Sequence, residues 1–254
     1  NKYDGDWKKD NKEGQGKFTY SNGDTYVGEF KNNEMSGQGK YTFENGDIYE
    51  GDLINDKITG QGTLTHSNGD IYVGQFKNNE MSGQGIYSYK NGDTYDGHWK
   101  NDKRDSQGTL IYSNGDKYVG EWENDQISGE GIYSYKNGDR YDGNWKNGHI
   151  HGKGTFSNSA GDIYIGEFKN NEMSGWGNYI YKNGDTYVGE MDDSKFNGEG
   201  TLAKATGDIL SGFWIDGSLN GQGSQTTQGG LLYVGGFSDN LFHGNGSLTY
   251  PDGG

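Results

Sequence analysis

Tyrosine recurs at positions 3, 26, 49, 72, 95, 118, 141, 164, 187 and 233, on a 23-residue period that runs through the chain without insertion or deletion. Leu210 is the one break in the series. Glycine keeps the same beat: the columns that start at Gly5, Gly16 and Gly23 are glycine in all eleven copies, and the column from Gly14 misses once, at Ser106. A chain this periodic is one small unit stacked on itself, each copy resting on its neighbours. Such an array offers an extended surface to partners. No set of residues in it reads as assembled for catalysis.

Composition narrows the choice further. Apolar residues make up 28 % of the chain and aromatics 14 %, so rings must supply most of the buried area. Twenty tyrosines and six tryptophans in fixed register argue against disorder, because disordered chains are poor in aromatics. The 48 glycines and single proline exclude collagen, whose glycines recur every third residue. Cysteine is absent, which leaves packing and hydrogen bonds to hold the repeats and suits a reducing cytosol. No apolar stretch approaches twenty residues, so no membrane-spanning helix is expected. The net charge of −15 repels nucleic acid and anionic lipid alike. The first and last units both read as cut, and the expectation is a piece of a longer protein.

One unit can be folded on paper. Residues 38–43 and 48–53 carry β-branched and aromatic residues on either side of an Asn-Gly-Asp, the short-range signal of a hairpin. The same three residues recur at 22–24, 68–70, 91–93, 114–116, 137–139 and 183–185. Helix is excluded by the lack of a 3.6-residue period and by the glycine content. Tyr41, Phe43, Tyr49, Gly51 and Leu53 share one face only if facing residue numbers sum to an even number. A two-residue Asn45-Gly46 loop fails that test. A three-residue loop, Glu44-Asn45-Gly46, passes it and pairs Tyr41 with Tyr49 and Gly39 with Gly51, with a left-handed glycine closing the turn. Residues 54–59 then read as a connector to the next copy. Facing glycines leave a groove where rings from neighbouring units can lie. The predicted fold is all-β: an elongated single-sheet solenoid of successive antiparallel hairpins, about 22 strands in one continuous array over residues 1–254. The aromatic row must either close on itself through curvature or be covered by a partner.

The pattern Tyr-x-Gly-x-Phe/Trp, a connector, Gly-x-Gly and then Asn-Gly-Asp resembles the membrane occupation and recognition nexus (MORN) repeat. Tyr26, Gly28 and Phe30 followed by Gly37 and Gly39 carry it, as do Tyr49 with Gly51, Tyr95 with Gly97 and Trp99, and Tyr118 with Gly120 and Trp122. The resemblance covers essentially the whole chain. It implies a non-enzymatic β-hairpin scaffold with no cofactor, holding other proteins of a multi-subunit assembly. The even spacing is most similar to radial spoke and other axonemal or cytoskeletal members, which implies a cytoplasmic, cytoskeletal and ciliary location. The alternatives are a phospholipid contact, opposed by net charge, and a targeting module for a catalytic domain elsewhere. An unpaired strand edge at an end of the array also permits a homodimer.

Departures from the repeat mark the candidate partner site. The array diverges over residues 191–237, where Met191 and Leu210 replace rings, Gln225 and Thr227 stand at apolar positions, and Leu231 precedes Leu232 and Tyr233. Trp214 lies in the same stretch, and Trp176 occupies a slot elsewhere filled mostly by Gln or Glu. These seven residues, Trp176, Met191, Leu210, Trp214, Leu231, Leu232 and Tyr233, are the candidate contacts. Arg104-Asp105-Ser106 breaks the connector where Met35-Ser36-Gly37 stands in another copy, and Met35, Met81 and Met173 read as plugs at the edge of each unit. The turn aspartates Asp24, Asp47, Asp70, Asp93 and Asp116 recur roughly 10 Å apart, two strands each, too far to share one calcium, so they read as local turn acceptors. His149 and His151 lack further ligands for a metal. The Gly-x-Gly steps precede strands, never a helix that could cradle phosphate.

Overall fold

Tyr26, Gly28 and Phe30 alternate with Val27 and Glu29, and this period of two makes Thr25–Lys31 a strand with one apolar side. Asn32 and Asn33 follow with φ of 51° and 73°, the paired left-handed residues of a two-residue hairpin turn, which Asn tolerates best among non-glycines. The chain then returns along Glu34–Thr42, turns again, and leaves along Ile48–Ile54. The computed structural model, which describes residues 1–252, repeats this pattern of a seven-residue and a nine-residue strand. Gly253, the last turn glycine, lies outside the described residues.

Among the described residues there are 22 strands and no helix. The chain divides into two compact units, Asn1–Gln126 and Ile127–Gly254. Within each, strands adjacent in sequence pair antiparallel in an open sheet of successive hairpins, as the sequence predicts. One reading needs correction. Residues 54–59 are not a loose connector: Ile54 pairs with Lys57 across Asn55 and Asp56, whose φ values of 51° and 62° form a second tight turn, and the next strand begins at once. The Asn-Asp and Asn-Asn pairs in this column are hairpin signals of the same kind as Asn-Gly.

The other turn has the three-residue form its parity requires. Tyr41 pairs with Tyr49 and Gly39 with Gly51. The Phe43 amide donates to Asp47 O at 2.9 Å and the Gly46 amide to Phe43 O at 3.0 Å, with Gly46 at φ 89°. This is the three-residue loop closed by a left-handed glycine.

The facing glycines do accommodate a ring, though from a different source than expected. The ring of Tyr49 lies along its own strand over Gly51 and Gly62, rather than arriving from a neighbouring unit. A methyl group on Gly51 would stand 2.5 Å from the Tyr49 hydroxyl and 2.6 Å from Gly62 Cα. One bulge per repeat makes this geometry useful. Pairing slips between Gly51 and Leu53, leaving Asp52 without a partner on the following strand, and the Tyr49 hydroxyl donates to the Asp52 carbonyl at 2.9 Å. Tyr26 does the same to Glu29, Tyr72 to Gln75 and Tyr187 to Glu190. Burial, with the Glu29 charge second, pushes the Tyr26 hydroxyl up to about 12, so it remains a donor at any physiological pH.

Rings of successive repeats then meet edge to face. Tyr72 contacts Phe76 of its own repeat at 5.1 Å and Trp99 of the next at 5.4 Å, and Tyr95 likewise contacts Trp99 and Trp122 at 5.2 and 5.3 Å. Each such pair adds about 1 kcal/mol beyond its area burial. Tyr49 is 0 % exposed. The tyrosine row is therefore covered by its own side chains, while the same face keeps an open groove of about 660 Å³ between Phe18, Tyr20, Tyr41 and Phe43. Met35 and Met81 are buried opposite Phe30 and Phe76, plugging the row as expected.

The irregular fifth copy is explained locally. Ser106 sits at φ 62°, in the left-handed region its column otherwise reserves for glycine. Arg104 takes the methionine position, lays its guanidinium 4.2 Å from the Trp122 ring centroid and pairs with Asp125 at 3.2 Å. Two substitutions separate these effects. Gly51→Ala is expected to cost more than about 2 kcal/mol through overpacking. Ser106→Gly should gain about 1 kcal/mol by relieving the backbone. Urea midpoints at unchanged slope check both; a neutral Gly51→Ala would mean that the ring does not need the bare backbone.

Candidate functional site

The turn aspartates do more than cap their own turns. Asp70 Oδ2 accepts Asn68 Nδ2 at 2.9 Å within the turn and the Tyr87 hydroxyl of the next repeat at 3.2 Å, while Oδ1 accepts the Lys90 backbone amide of that repeat at 2.8 Å. Asp24, Asp47, Asp93 and Asp139 clasp the amides of Glu44, Ser67, Ser113 and Ser159 in the same way. This corrects the purely local reading. The two-residue turns form a second row of clasps: Asp56 donates its amide to Met35 O at 3.1 Å and accepts the Met35 amide at 2.7 Å on its carboxylate. Asn79 and Asn171 bridge to Ile58 and Ile150 likewise. Both ends of a hairpin are thus tied to its neighbour. Gly148 and Gly217 keep the backbone half of the clasp but have no side chain for the other half.

The opposite face of each sheet is accessible as well. There the columns alternate between Val or Ile and acidic or amide side chains. In the second unit Trp176 stands 55 % exposed on Glu172–Ile180, and Phe213 is 49 % exposed on Ile209–Ile215. Trp176 pairs directly with Glu190, and Glu199 with Phe213. The intervening bulge places the Glu190 side chain over Gly198, beside Glu199. Across four consecutive strands the row therefore reads aromatic, acid, acid, aromatic. A groove of about 710 Å³ runs from Trp176 past Val188, Glu199 and Phe213 to Val234, with Gly200, Gly212 and Gly223 as its floor. A second, of about 780 Å³, lies on the other side of Trp176 between Asp142, Lys153, Ile165 and Glu167.

The structure separates the seven candidate contacts. Met191, Leu210, Trp214 and Tyr233 are buried in the tyrosine row, Trp214 to 1 % exposure with its indole N–H donating to Gly200 O at 3.0 Å. Leu231 and Leu232 are half-buried. Trp176 is the exposed member. Phe213 was missed, although its column reads Asp6, Glu29, Asp52, Gln75, His98, Glu121, Asn144, Glu167 and Glu190 before it, so a ring there was a visible anomaly. Among the described residues no group of three or more His, Asp or Glu side chains is placed to hold a metal ion, and no helix is long and apolar enough to cross a membrane.

The arrangement of hairpins, glycine row and turn residues is that of a repeat protein built for interaction. The MORN-repeat family model matches ten copies, at residues 3–25, 26–48, 49–71, 72–94, 95–117, 118–140, 141–163, 164–186, 187–209 and 233–254. The chain belongs to the MORN-repeat family, whose members are repeat-based modules for protein interaction or membrane contact and are generally non-catalytic. Residues 210–232 fall outside the match, yet they keep both strands, Ile209–Ile215 and Ser218–Thr226, in register with their neighbours. No curated protein matches. Similar solved structures include the TCP10 domain of Danio rerio CPAP in complex with a STIL peptide, at 10 % identity and TM-score 0.29 over 90 % of each chain. The SAS-4 TCP domain of Drosophila melanogaster in complex with a proline-rich motif of Ana2 is similar at 12 % identity and TM-score 0.30, covering 79 % of this chain and 90 % of that one. Virginiamycin B lyase from Staphylococcus aureus is similar at 11 % identity and TM-score 0.16, over 87 % and 83 %.

The clasps predict an acid response. The Lys90 amide, with Asn68 and Tyr87, holds the Asp70 carboxyl below its ordinary value, and the Ser67 and Ser113 amides do so for Asp47 and Asp93. A carboxyl lowered in the folded state stabilises the fold above the unfolded value of about 3.9, and that contribution is lost as pH falls through the folded value. Asp70→Ala should cost about 2 kcal/mol at pH 7, and the gap to the parent chain should shrink below about pH 4. Urea unfolding across pH 7 to 3 measures it; a gap that stays constant would mean the charge is irrelevant.

Proposed function

We propose that this array is a non-catalytic scaffold that holds other proteins of a cytoskeletal assembly, in the cytoplasm and of the ciliary axonemal kind. The observation that carries the reading is the exposed Trp176 and Phe213 on the face the tyrosines leave free. Large aromatic side chains exposed on a sheet face of smaller aliphatic and polar residues are the usual anchors of protein contacts. The uninterrupted 23-residue spacing, similar to that of axonemal members, supports the setting.

A lipid-contact reading has less support from the side chains. Of the recurring lysines Lys31, Lys77, Lys100, Lys146 and Lys169, the first, second and last sit directly opposite Glu34, Glu80 and Glu172 across the tight turns, while Lys100 faces Lys103 and Lys146 faces His149. The net charge of −15 opposes an anionic surface. Cross-linking of the immobilised chain in an axonemal extract should recover protein partners, and Trp176→Ala should reduce that recovery at least about tenfold. Flotation with phosphoinositide vesicles should show no more binding than with neutral ones. Salt-sensitive flotation with phosphoinositide alone, together with unchanged recovery by Trp176→Ala, would reverse the order of the two readings.

A further inference from the structure

We infer that the groove beside Trp176 selects a lysine- or arginine-bearing extended peptide, an inference that rests on the protein-holding reading above and specifies its partner by charge. Three observations converge on this choice. The groove between Trp176 and Phe213 contains Glu199 and no lysine or arginine. Among the described residues neither Glu190 nor Glu199 has a cation within ion-pair distance, whereas Lys195, at the turn between their strands, is occupied by Asp216 at 2.9 Å. Between the two rings the groove is lined by glycine backbone and the short side chains of Thr201, Ser211 and Ser224, with Thr201 and Ser211 hydrogen-bonded to each other at 2.8 Å, so a chain can approach the sheet closely there.

A basic side chain satisfies all three at once. Its aliphatic stem covers Val188 and the glycine floor, its charge meets a carboxylate that has no partner, and its cation can rest against the face of Trp176 or Phe213. An acidic segment would meet Glu190 and Glu199 unscreened, and a purely apolar one would bury both carboxylates without compensation. Spacing adds a further constraint. Trp176 and Phe213 are three strand steps apart, roughly 14 Å, and an extended peptide covers about that distance in four residues. Two cations at positions i and i+4 therefore reach one aromatic–acid pair each. On the other side of Trp176, Glu130, Asp142 and Glu167 outnumber Lys153, so a third cation meets an acidic surface there too.

The test uses the full chain and three fluorescent probes of nine residues built from Ser and Val, with lysine, glutamine or glutamate at the first, fifth and ninth positions. Anisotropy should show binding of the lysine probe that weakens as salt rises from 50 to 300 mM, with little binding of the other two. Trp176→Ala should weaken it at least tenfold. Glu199→Gln should weaken it about fivefold and flatten the salt dependence, while Val73→Ala on the first unit should leave it unchanged. Both groove changes are at exposed positions, and an unchanged urea midpoint will show that folding is intact. Equal binding of the glutamine probe, still lost in Trp176→Ala, overturns the cation selection but leaves the face as a protein-contact surface. Binding of the lysine probe that ignores both Trp176→Ala and Glu199→Gln overturns the groove itself, while partner recovery in the cross-linking experiment separately decides whether the protein-holding reading survives.

Discussion

The contact between each tyrosine and the two bare backbones beneath it organises this protein. A ring laid on facing glycines needs a sheet without Cβ atoms at that point, and the bulge beside it leaves a carbonyl that only a hydroxyl at the end of such a ring can reach. Tyr49, Gly51, Gly62 and the Asp52 carbonyl are one device, and a phenylalanine or an alanine in it would leave either a polar group unpaired or a clash. The rest of the unit follows. Phe76 and Trp99 fill the space between neighbouring tyrosines, and the second residue of many nine-residue strands, such as Met35, Met81, Ile127, Ile150 and Leu219, closes the row from the side. Because these rings cover one another, the tyrosine row of each sheet is buried without help.

Much of this was legible from residue order. The 23-residue period gave the array, and the parity of Tyr41, Phe43 and Tyr49 selected a three-residue turn over the commoner two-residue one. The second turn was not recognised because Asn55-Asp56 lacks a glycine, although two consecutive left-handed residues serve the same purpose there. The source of the ring over the glycines was also misjudged. Alternation along a strand tells which residues share a face, but not that a tyrosine leans along its own strand to a carbonyl three residues on.

The functional surface was harder to read for a physical reason. Divergence from the repeat drew attention to Met191, Leu210 and Trp214, but a core tolerates apolar exchange at nearly constant volume, so breaks in a buried column report repacking as readily as contact with a partner. Trp176 and Phe213 break columns that are otherwise polar, where an apolar exchange has no packing benefit. A departure carries more information when it opposes the burial of its column than when it merely varies within it. The inter-repeat clasps escaped for a related reason. Asn-Gly-Asp is so well explained by its own turn that nothing in one copy announces the oxygen reserved for the next.

Those clasps make each hairpin's stability partly the property of the one after it. Opening a single copy forfeits bonds on both of its flanks, so fraying is penalised more heavily in the middle of a unit than at its margin, as in a one-dimensional lattice with nearest-neighbour coupling. In such a lattice the thinnest links set where melting begins. Gly148 and Gly217, which keep the amide but lack the side-chain half of the turn clasp, are the weaker turn contacts in the second unit, and they bracket the stretch that carries Trp176 and Phe213. Melting within that unit is expected to start at the turns that flank its most unusual surface.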